Sequence, residues 1–583
     1  MGIVEIAVSV QQKIKSQVSL ASLSREGWIV AGVMAAGAIP RLFYLGGKSI
    51  WLDEAFSMAI SRRSLIDMLA LVVLSDTHPP LYYLLLKLWM SLGDGEAHVR
   101  LLSALFSIAA IPVMYNLAAH LYGDRRVGLI AAAILAVSPF QVWYAQEARM
   151  YAMLTFLVLL SAYFLFRALQ SGDLRDWVGY VIATTLALYT DNGAIWYMLS
   201  ISIFYLVLMK RFPARFLDWF LSNAGIFLLY IPWLPLFIKQ TLQVTESFWL
   251  PPPSFQTVLG ALLDFQSFNF PLIEFSLLYM ALIFVWAYIV PGRDWQRRLA
   301  TLWLFAPLVI SLLLSLRQPI FLTRNLIVAS LGYYLLVAGT IWRFRSQKAT
   351  LALLLPLVVM NLVSIGYNAR WEEKEDWRAV ARYVARSSLK RPGGIAVFLP
   401  GYSEIPFDYY FKDYHRPMDT QGYPGDELLL HPNPKQVADI AKMLEGRPYV
   451  WLVVRDIQTA DPDWTVKAWL DTHGYIRQKD LVRENISVLT YVRWDKNPPG
   501  QATGNTQTGS KAYIPLVYSG SGLQAYRVKP GETLLEIAVR FGTTVQTLME
   551  ANGLENPNDL AAGQELLVPV VKENASGTGT PYP

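Results

Sequence analysis

The stretch Pro79–Leu92, PPLYYLLLKLWMSL, is apolar but only 14 residues long, and whether it crosses a membrane decides the side on which every later loop lies. A crossing helix needs about 20 apolar residues, with a range of about 17–25. Longer apolar runs surround it, at 28–46, 100–121, 127–143, 151–169, 176–190, 193–209, 217–238, 274–291, 299–316, 320–341 and 349–368. The loops between them discriminate, because Lys and Arg gather on the cytoplasmic side. Suppose 79–92 stays on one face and the N-terminus, with Lys13, Lys15 and Arg25, is cytoplasmic. The inner loops are then 123–126 (GDRR), 167–175 (RALQSGDLR), 210–215 (KRFPAR), 292–298 (GRDWQRR) and 342–348 (WRFRSQK), all of them basic. The loops around 146–149, 191–192 and 239–273 are poor in Lys and Arg. The chain therefore reads as eleven spans, with 79–92 a helix in the outer interface. Its apolar residues Leu81, Leu84, Leu85, Leu88 and Trp89 recur at three and four positions, and Pro79-Pro80 suits a first helical turn.

Composition agrees. Hydrophobic residues make up 54% of the 583 and charged residues 16%, and the mean hydropathy is +0.33, which excludes a purely soluble protein. The apolar runs fill 28–368, whereas 369–583 has ordinary soluble composition. The net charge of +6 is accounted for by the inner loops and is no nucleic-acid footprint. Without cysteine, disulfides and thiolate metal sites are excluded, and the six His show no metal-ligand spacing. Residues 1–27 lack a cleavable signal pattern, so Trp28–Leu45 reads as an uncleaved first span.

An odd number of spans places everything after Tyr367 outside. The expected division is a membrane domain at 1–369, a small α/β domain at 370–495, a flexible linker at 496–524, a compact module at 525–570 and a disordered tail at 571–583. In the α/β domain a helix carries Trp377, Val380, Ala381 and Val384 on one face, and IAVFLP (395–400) follows as a buried strand. A second helix (434–445) leads to the strands YVWLVV (449–454) and ISVLTYVRW (486–494). The linker is rich in Pro, Gly, Ser, Thr and Gln. The last module reads strand, turn at Pro530-Gly531, helix with Leu534, Ile537, Ala538 and Phe541 inward, second helix with Val545, Leu548 and Met549, and a strand closing at Pro569.

This sidedness gathers ionisable residues on one membrane face: Asp53 and Glu54 in WLDEAFS (51–57), His78 in SDTHPP (75–80), Glu147 and Arg149 in YAQEARMY (144–151), and Arg317 and Arg324. Each has a plain reading alone. The acidic pair suits a solvated loop, His78 a helix cap, Arg149 and Arg324 partners of Glu147 or of carbonyls, and Lys87 a snorkelling side chain. Together they mark a site, since charges at membrane depth are costly. The chemistry they suit is group transfer from a lipid-linked phosphate. A carboxylate acts as general base on an acceptor hydroxyl, Arg, Lys and His hold the phosphate, and binding supplies orientation.

The ordered set WLDEAFS, HPPLYYLLLKLW (78–89) and RLLSALFSIAAIPVMYNLAAHLYGDRRVGLIAAAILAVSPFQVWYAQEARMYA (100–152), with YIPWLP (230–235), FLTRN (321–325) and KEDWRAVARYV (374–384), resembles the integral-membrane glycosyltransferases of the C fold (GT-C). It is most similar to the protein O-mannosyltransferase-like and aminoarabinose-transferase-like branch. The resemblance implies an inverting enzyme that moves a sugar from a polyprenyl-phosphate donor to a glycan, lipid or protein hydroxyl outside the cytoplasm. It implies Asp53 as catalytic base with Glu54 as partner. It also implies His78, Lys87, Glu147, Arg149, Tyr151, Asp191 and Arg324 as donor-phosphate or substrate residues. Where many relatives have His after LYT, Asp191-Asn192 follows here. The resemblance leaves open whether a divalent cation, Mg or Mn, sits at Asp53/Glu54.

Residues 526–569 resemble a LysM domain, which implies a βααβ fold binding peptidoglycan-type glycans through Gly531, Glu532, Thr533, Leu534 and Asn556. The expectation is a bacterial plasma-membrane glycosyltransferase with its N-terminus cytoplasmic and a wall-binding domain outside, without nucleic-acid partners. Two alternatives stand beside it: a transporter or flippase of lipid-linked sugars, whose polar groups belong near the bilayer midplane on repeated halves, and a non-catalytic wall-anchored scaffold.

Overall fold

The computed structural model describes residues 24–494 apart from 75, 209–211, 248–251, 290–293, 345, 371–373, 416–417, 424–441, 456–464, 479 and 484, and beyond these 523–528, 537, 548–549, 552 and 564–569. Two compact units divide at residues 497/498.

Helices occupy all eleven apolar runs of the first unit. Among the described residues five are long and apolar enough to cross a membrane: α5 (Glu96–Tyr122), α8 (Tyr151–Ser171), α15 (Trp295–Ser315), α16 (Ile327–Trp342, entered by a 3-10 turn at Thr323–Leu326) and α17 (Gln347–Arg370). Two bent pairs raise this to seven. The other four, α1 (Arg25–Leu42), α9 (Leu174–Thr190), α10 (Ala194–Leu208) and α14 (Ile273–Ile289), have 15–18 residues.

The bends correct the reading of 127–143 and 217–238 as single rods. Helix α6 (Arg125–Val137) meets α7 (Pro139–Ala145) at 56°. Proline has no N–H to donate and its ring collides with the carbonyl four residues back. Ser138 caps the new start, its Oγ accepting from the Gln141 amide at 3.3 Å. In the same way α11 (Phe216–Tyr230) and α12 (Leu234–Ser247) diverge around Pro232, at 73°.

The loop after α1 is helical too, as α2 (Leu52–Arg62) and α3 (Leu65–Leu74). The segment that opened the question forms α4 (Leu81–Met90). Ten residues rise about 15 Å, half the bilayer's hydrocarbon thickness of about 30 Å, so α4 is too short to cross. It buries Tyr82, Tyr83 and Leu86 and leaves the Leu88 side of its apolar stripe outward.

The centre of the bundle is α16, buried at every position from Ile327 to Ile341. A Cβ on Gly332 would come within 2.6 Å of the Leu304 amide nitrogen of α15, so only glycine allows this approach. By contrast α14 and α17 leave Phe275, Leu278, Leu282, Leu351, Leu355 and Val359 exposed, as helices facing lipid would.

The α/β domain begins with α18 (Trp377–Ser388), capped by Asp376, which buries Trp377, Val380, Ala381, Val384 and Ala385 on the face expected. Its sheet runs in the order β2 (Asp419–Gly422), β1 (Ile395–Leu399), β3 (Tyr449–Arg455), β6 (Ile486–Arg493), β4 (Tyr475–Arg477), with β5 (Leu481–Arg483) also on β6. The first three strands are parallel and β6 runs antiparallel to β3. Helices α19 (Glu404–Phe411) and α20 (Thr465–Thr472) complete it. Of the helix expected at 434–445, residues 442–444 are helical and 434–441 lie outside the described residues.

In the second unit β7 (Leu523–Arg527) pairs antiparallel with β8 (Glu565–Pro569) over a core of Val528, Ile537, Leu548, Leu566 and Val568. The Asn552 amide ties the two halves, donating to the Leu548 and Leu567 carbonyls at 2.7 and 2.9 Å and accepting from the Leu567 amide at 2.6 Å.

Candidate active site

Adjacent residues on a helix point about 100° apart, and the first turn of α2 uses this to separate its two carboxylates. Glu54 turns inward. Its oxygens accept from Arg100 Nε and Nη2 at 2.7 and 2.6 Å, from the Ala148 amide at 2.9 Å and from the Trp51 amide at 3.4 Å. Arg100 spends its remaining N–H groups on the carbonyls of Leu45, Lys48 and Ser49, at 2.8–2.9 Å. Burial alone would push the Glu54 carboxyl up, but Arg100 and Lys374, with the bonds from Arg100 and Ala148, hold it below its ordinary value. The expectation that Glu54 assists Asp53 is thereby corrected. Every acceptor site on its oxygens that the fold reaches is filled, and it fastens the turn at 45–49, α2 and the loop at 146–148 to one another.

Asp53 turns outward and meets Arg324 Nη1 at 3.2 Å, with both side chains partly open, 23% and 29% exposed. Arg324 stands on the 3-10 turn that starts the buried central helix. Arg149 comes up beside them. Its Nη1 donates to Ser57 Oγ at 3.0 Å and to the Asp53 carbonyl at 3.4 Å, and among the described residues its Nε has no partner and no carboxylate pairs with it. Burial works against its charge, yet Tyr83, Tyr151, Asp53 and Asp76 around it outweigh that and hold its pKa well above the ordinary value.

His78 closes the group. Its Nδ1 lies 2.9 Å from Asp76 Oδ1, and its Nε2 lies 3.4 Å from Arg149 Nη2 and 4.0 Å from Asp191 Oδ2. A guanidinium only donates, so Nε2 accepts and the ring proton of a neutral His78 sits on Nδ1, toward Asp76. Burial raises the Asp76 carboxyl, but the field of His78 and its hydrogen bond, together with Arg149, bring it down to about 2. Asp191 stays above its ordinary value, because burial outweighs His78, Arg149 and the Gly193 amide bonded to it at 2.6 Å. Asn192 Nδ2 fixes the Thr77 carbonyl at 2.8 Å. Tyr151, first residue of α8, is buried within the fields of Arg324, Arg149, Asp53 and Asp191.

The fold thus brings together Asp53, His78, Arg149, Tyr151, Asp191 and Arg324. It gives two others different partners. Lys87 donates to the Ser61 carbonyl at 3.4 Å and to the Arg63 carbonyl, so it caps the C-terminal end of α2 and faces away from the group. Glu147 pairs with Lys374 Nζ at 3.2 Å in a buried pocket beneath Trp51 and Trp143. Asp76, Arg100, Lys374, Glu375 and Arg455 are structurally central and are not singled out by the sequence, although Arg100 opens the apolar run 100–121 and Lys374 and Glu375 lie in the KEDW motif. The LysM residues Gly531, Glu532, Thr533, Leu534 and Asn556 lie outside the described residues.

A divalent cation does not fit the acidic pair. Glu54 has both oxygens bound to Arg100, and Asp53 faces a guanidinium. Among the described residues no three His, Asp or Glu converge in a way that holds a metal.

Residues 77–235 match the family model described as dolichyl-phosphate-mannose-protein mannosyltransferase, and residues 526–569 match the LysM domain. Two curated Bacillus proteins match short stretches. N-acetylmuramoyl-L-alanine amidase XlyA of Bacillus subtilis is 34% identical over 113 residues, which is 19% of this chain and 33% of that protein. The putative L,D-transpeptidase YkuD of Bacillus licheniformis is 47% identical over 47 residues, 8% of this chain and 28% of that protein. The chain spans a third or less of these relatives. ArnT from Cupriavidus metallidurans, in the apo state, superposes with a TM-score of 0.53 at 13% identity, covering 80% of this chain and 98% of ArnT. The same protein bound to undecaprenyl phosphate gives 0.51 at 14% identity, with the same coverage. The apo oligosaccharyltransferase of Archaeoglobus fulgidus gives 0.51 at 12% identity, covering 79% of this chain and 73% of that one. At such identities the likeness is one of fold. The helical unit has the GT-C architecture, and a LysM domain follows it.

Proposed function

We propose that this protein is a membrane glycosyltransferase that moves a sugar from a polyprenyl-phosphate donor to a hydroxyl on an extracytoplasmic glycan, lipid or protein. The observation that supports it most is the division of labour in α2: Asp53 is partly open and paired to Arg324 at 3.2 Å beside Arg149, which pairs with no carboxylate among the described residues, while Glu54 is sealed. The likeness in fold to ArnT, one of whose structures is bound to undecaprenyl phosphate, supports the donor class.

In this reading Asp53 takes the proton of the acceptor hydroxyl as its oxygen attacks the anomeric carbon, and the bond from that carbon to the phosphate oxygen breaks with inversion. The leaving polyprenyl phosphate gains one negative charge in the same step in which Asp53 loses one. Arg324 therefore gives up its internal partner as the phosphate comes to need it, and Arg149 adds a second donor. The guanidinium of Arg149, which pairs directly with no carboxylate among the described residues, is suited to a phosphodiester in the ground state. The polar groups cluster at one end of the bundle, where a transfer site would be, and not at mid-depth as in transporters. The LysM domain would hold the enzyme to cell-wall glycan, with the N-terminus cytoplasmic in a bacterial plasma membrane.

The purified full chain, supplied with radiolabelled polyprenyl-phosphate sugars, tests this. Asp53→Asn is expected to reduce transfer by about 10²–10⁴-fold, the usual worth of a general base, while the thermal unfolding temperature stays put. Transfer by that variant at the wild-type rate would remove Asp53 from the role of base.

A further inference from the structure

The segment Lys374–Asp376 leads into the α/β domain, and its middle residue turns back toward the membrane part. The Glu375 carboxylate is buried. One oxygen accepts from the Leu52 amide at 3.2 Å and from Trp377 Nε1 at 2.8 Å, and the other from Arg455 Nε. Leu52 is the first residue of α2 and precedes Asp53. Arg455 ends β3, next to Tyr402 and within the field of Asp53. Sheet, linker and catalytic helix are therefore joined through one carboxylate, and a negative charge at a helix N-terminus is itself favourable.

We propose that Glu375 and Arg455 are positioning residues for Asp53, so that the α/β domain forms one wall of the active site. This rests on the reading of Asp53 as base. The Leu52 amide is one of the orphan donors of a helix start, and Glu375 is the acceptor that holds the first turn, hence the direction of the Asp53 carboxylate. Arg455 in turn balances Glu375. Without it, an uncompensated carboxylate would stand close to Asp53. Among the described residues the other charged or titratable groups around Asp53 are Arg324 at 3.2 Å, Arg149 on its carbonyl at 3.4 Å, and Tyr151, while Glu54 on the same helix faces Arg100. These remain in place when either member of the pair is changed.

The test compares transfer kinetics of the full-length wild type, Glu375→Gln, Arg455→Gln, Arg455→Lys and Arg447→Gln. Arg447 makes a surface pair with Asp419 in the same domain and serves as control. Glu375→Gln and Arg455→Gln are each expected to lower kcat about tenfold with the donor KM within twofold. The acidic limb of the kcat–pH profile should move in opposite directions: up in Arg455→Gln, which leaves Glu375 unbalanced, and down in Glu375→Gln, which leaves Arg455 unbalanced. Arg455→Lys should restore the position of the limb, and Arg447→Gln should match wild type. Limbs that stay in place, or that move the same way in both variants, would overturn the proposal, as would wild-type kcat in both. If a variant unfolds at lower temperature, its folded fraction is measured at each pH and the rates are divided by it, because stability itself changes with pH; the direction of the corrected limb then decides. Should Asp53→Asn transfer at the wild-type rate, it is the base assignment that fails, a result distinct from unmoved limbs with an inactive Asp53→Asn.

Discussion

The Glu54–Arg100 pair is sealed, 0% and 2% exposed, whereas the Asp53–Arg324 pair one residue away is 23% and 29% exposed. The first has every donor of the guanidinium spent on the fold; the second is partly open to its surroundings. The contrast separates two uses of the same chemistry. A buried pair costs desolvation that only complete hydrogen bonding offsets, and it is worth most as a fastener. A half-open pair is weaker in contact and exchangeable, which is what a reacting group needs.

The contrast can be broken by experiment. The largest effect on the fold belongs to Arg100→Leu, which leaves the Glu54 carboxylate buried without its partner. The expected loss is about 3–5 kcal/mol of stability, read as a large fall in unfolding temperature in detergent, and a wild-type temperature would mean that Glu54 finds water or protonates cheaply. The Asp53→Asn variant should do the reverse, losing turnover and keeping its melting point. Arg149→Lys comes next. A lysine carries one ammonium in place of the fork, so the donor KM is expected to rise about tenfold, the scale of one charged hydrogen bond, with an unchanged KM counting against Arg149 as a phosphate ligand.

Asp76 supplies a pH-dependent test. Its folded pKa of about 2 lies below the ordinary carboxylate value of 3.8, so it contributes stability that is present above pH 4 and lost as pH falls toward 2. Wild type and Asp76→Asn should therefore differ in unfolding temperature above pH 4 and converge below it, and curves that stay parallel down to pH 2 would refute the depression. The smallest effect is that of Lys87→Met, which loses only bonds to the Ser61 and Arg63 carbonyls at the end of α2 and should shift stability by no more than about 0.5 kcal/mol without altering the donor KM. A raised KM there would return Lys87 to the phosphate.

Much of the helical layout was legible because hydropathy and loop charge act over whole segments. The eleven apolar runs are helices, and Leu81–Met90 is too short to cross. The convergence of Asp53, His78, Arg149, Tyr151, Asp191 and Arg324 was legible in part, since sidedness alone puts them on one face. What sequence could not supply was direction. Neighbours in WLDEAFS part company only because the segment is a helix, and the partner of Glu54 lies 46 positions further on. Lys87 reads as a phosphate ligand until the turn of α4 aims it at the end of α2. The bends at Pro139 and Pro232 were visible as residues, yet hydropathy runs smoothly across both. Glu375 sat in a motif that had been recognised, but its partners, Leu52 and Arg455, lie 323 and 80 positions away.

The central helix carries one more implication. From Ile327 to Ile341 it is enclosed on every side, and Gly332 lets α15 lie against its backbone. A rod held in this way cannot roll or slide without opening the core, so the arginine at its N-terminal tip keeps a fixed height and bearing. Arg324 is then a survey mark for anyone redesigning the enzyme. On the proposed function, the point at which negative charge is received stays where the bundle has put it, whatever is changed in the loops around it.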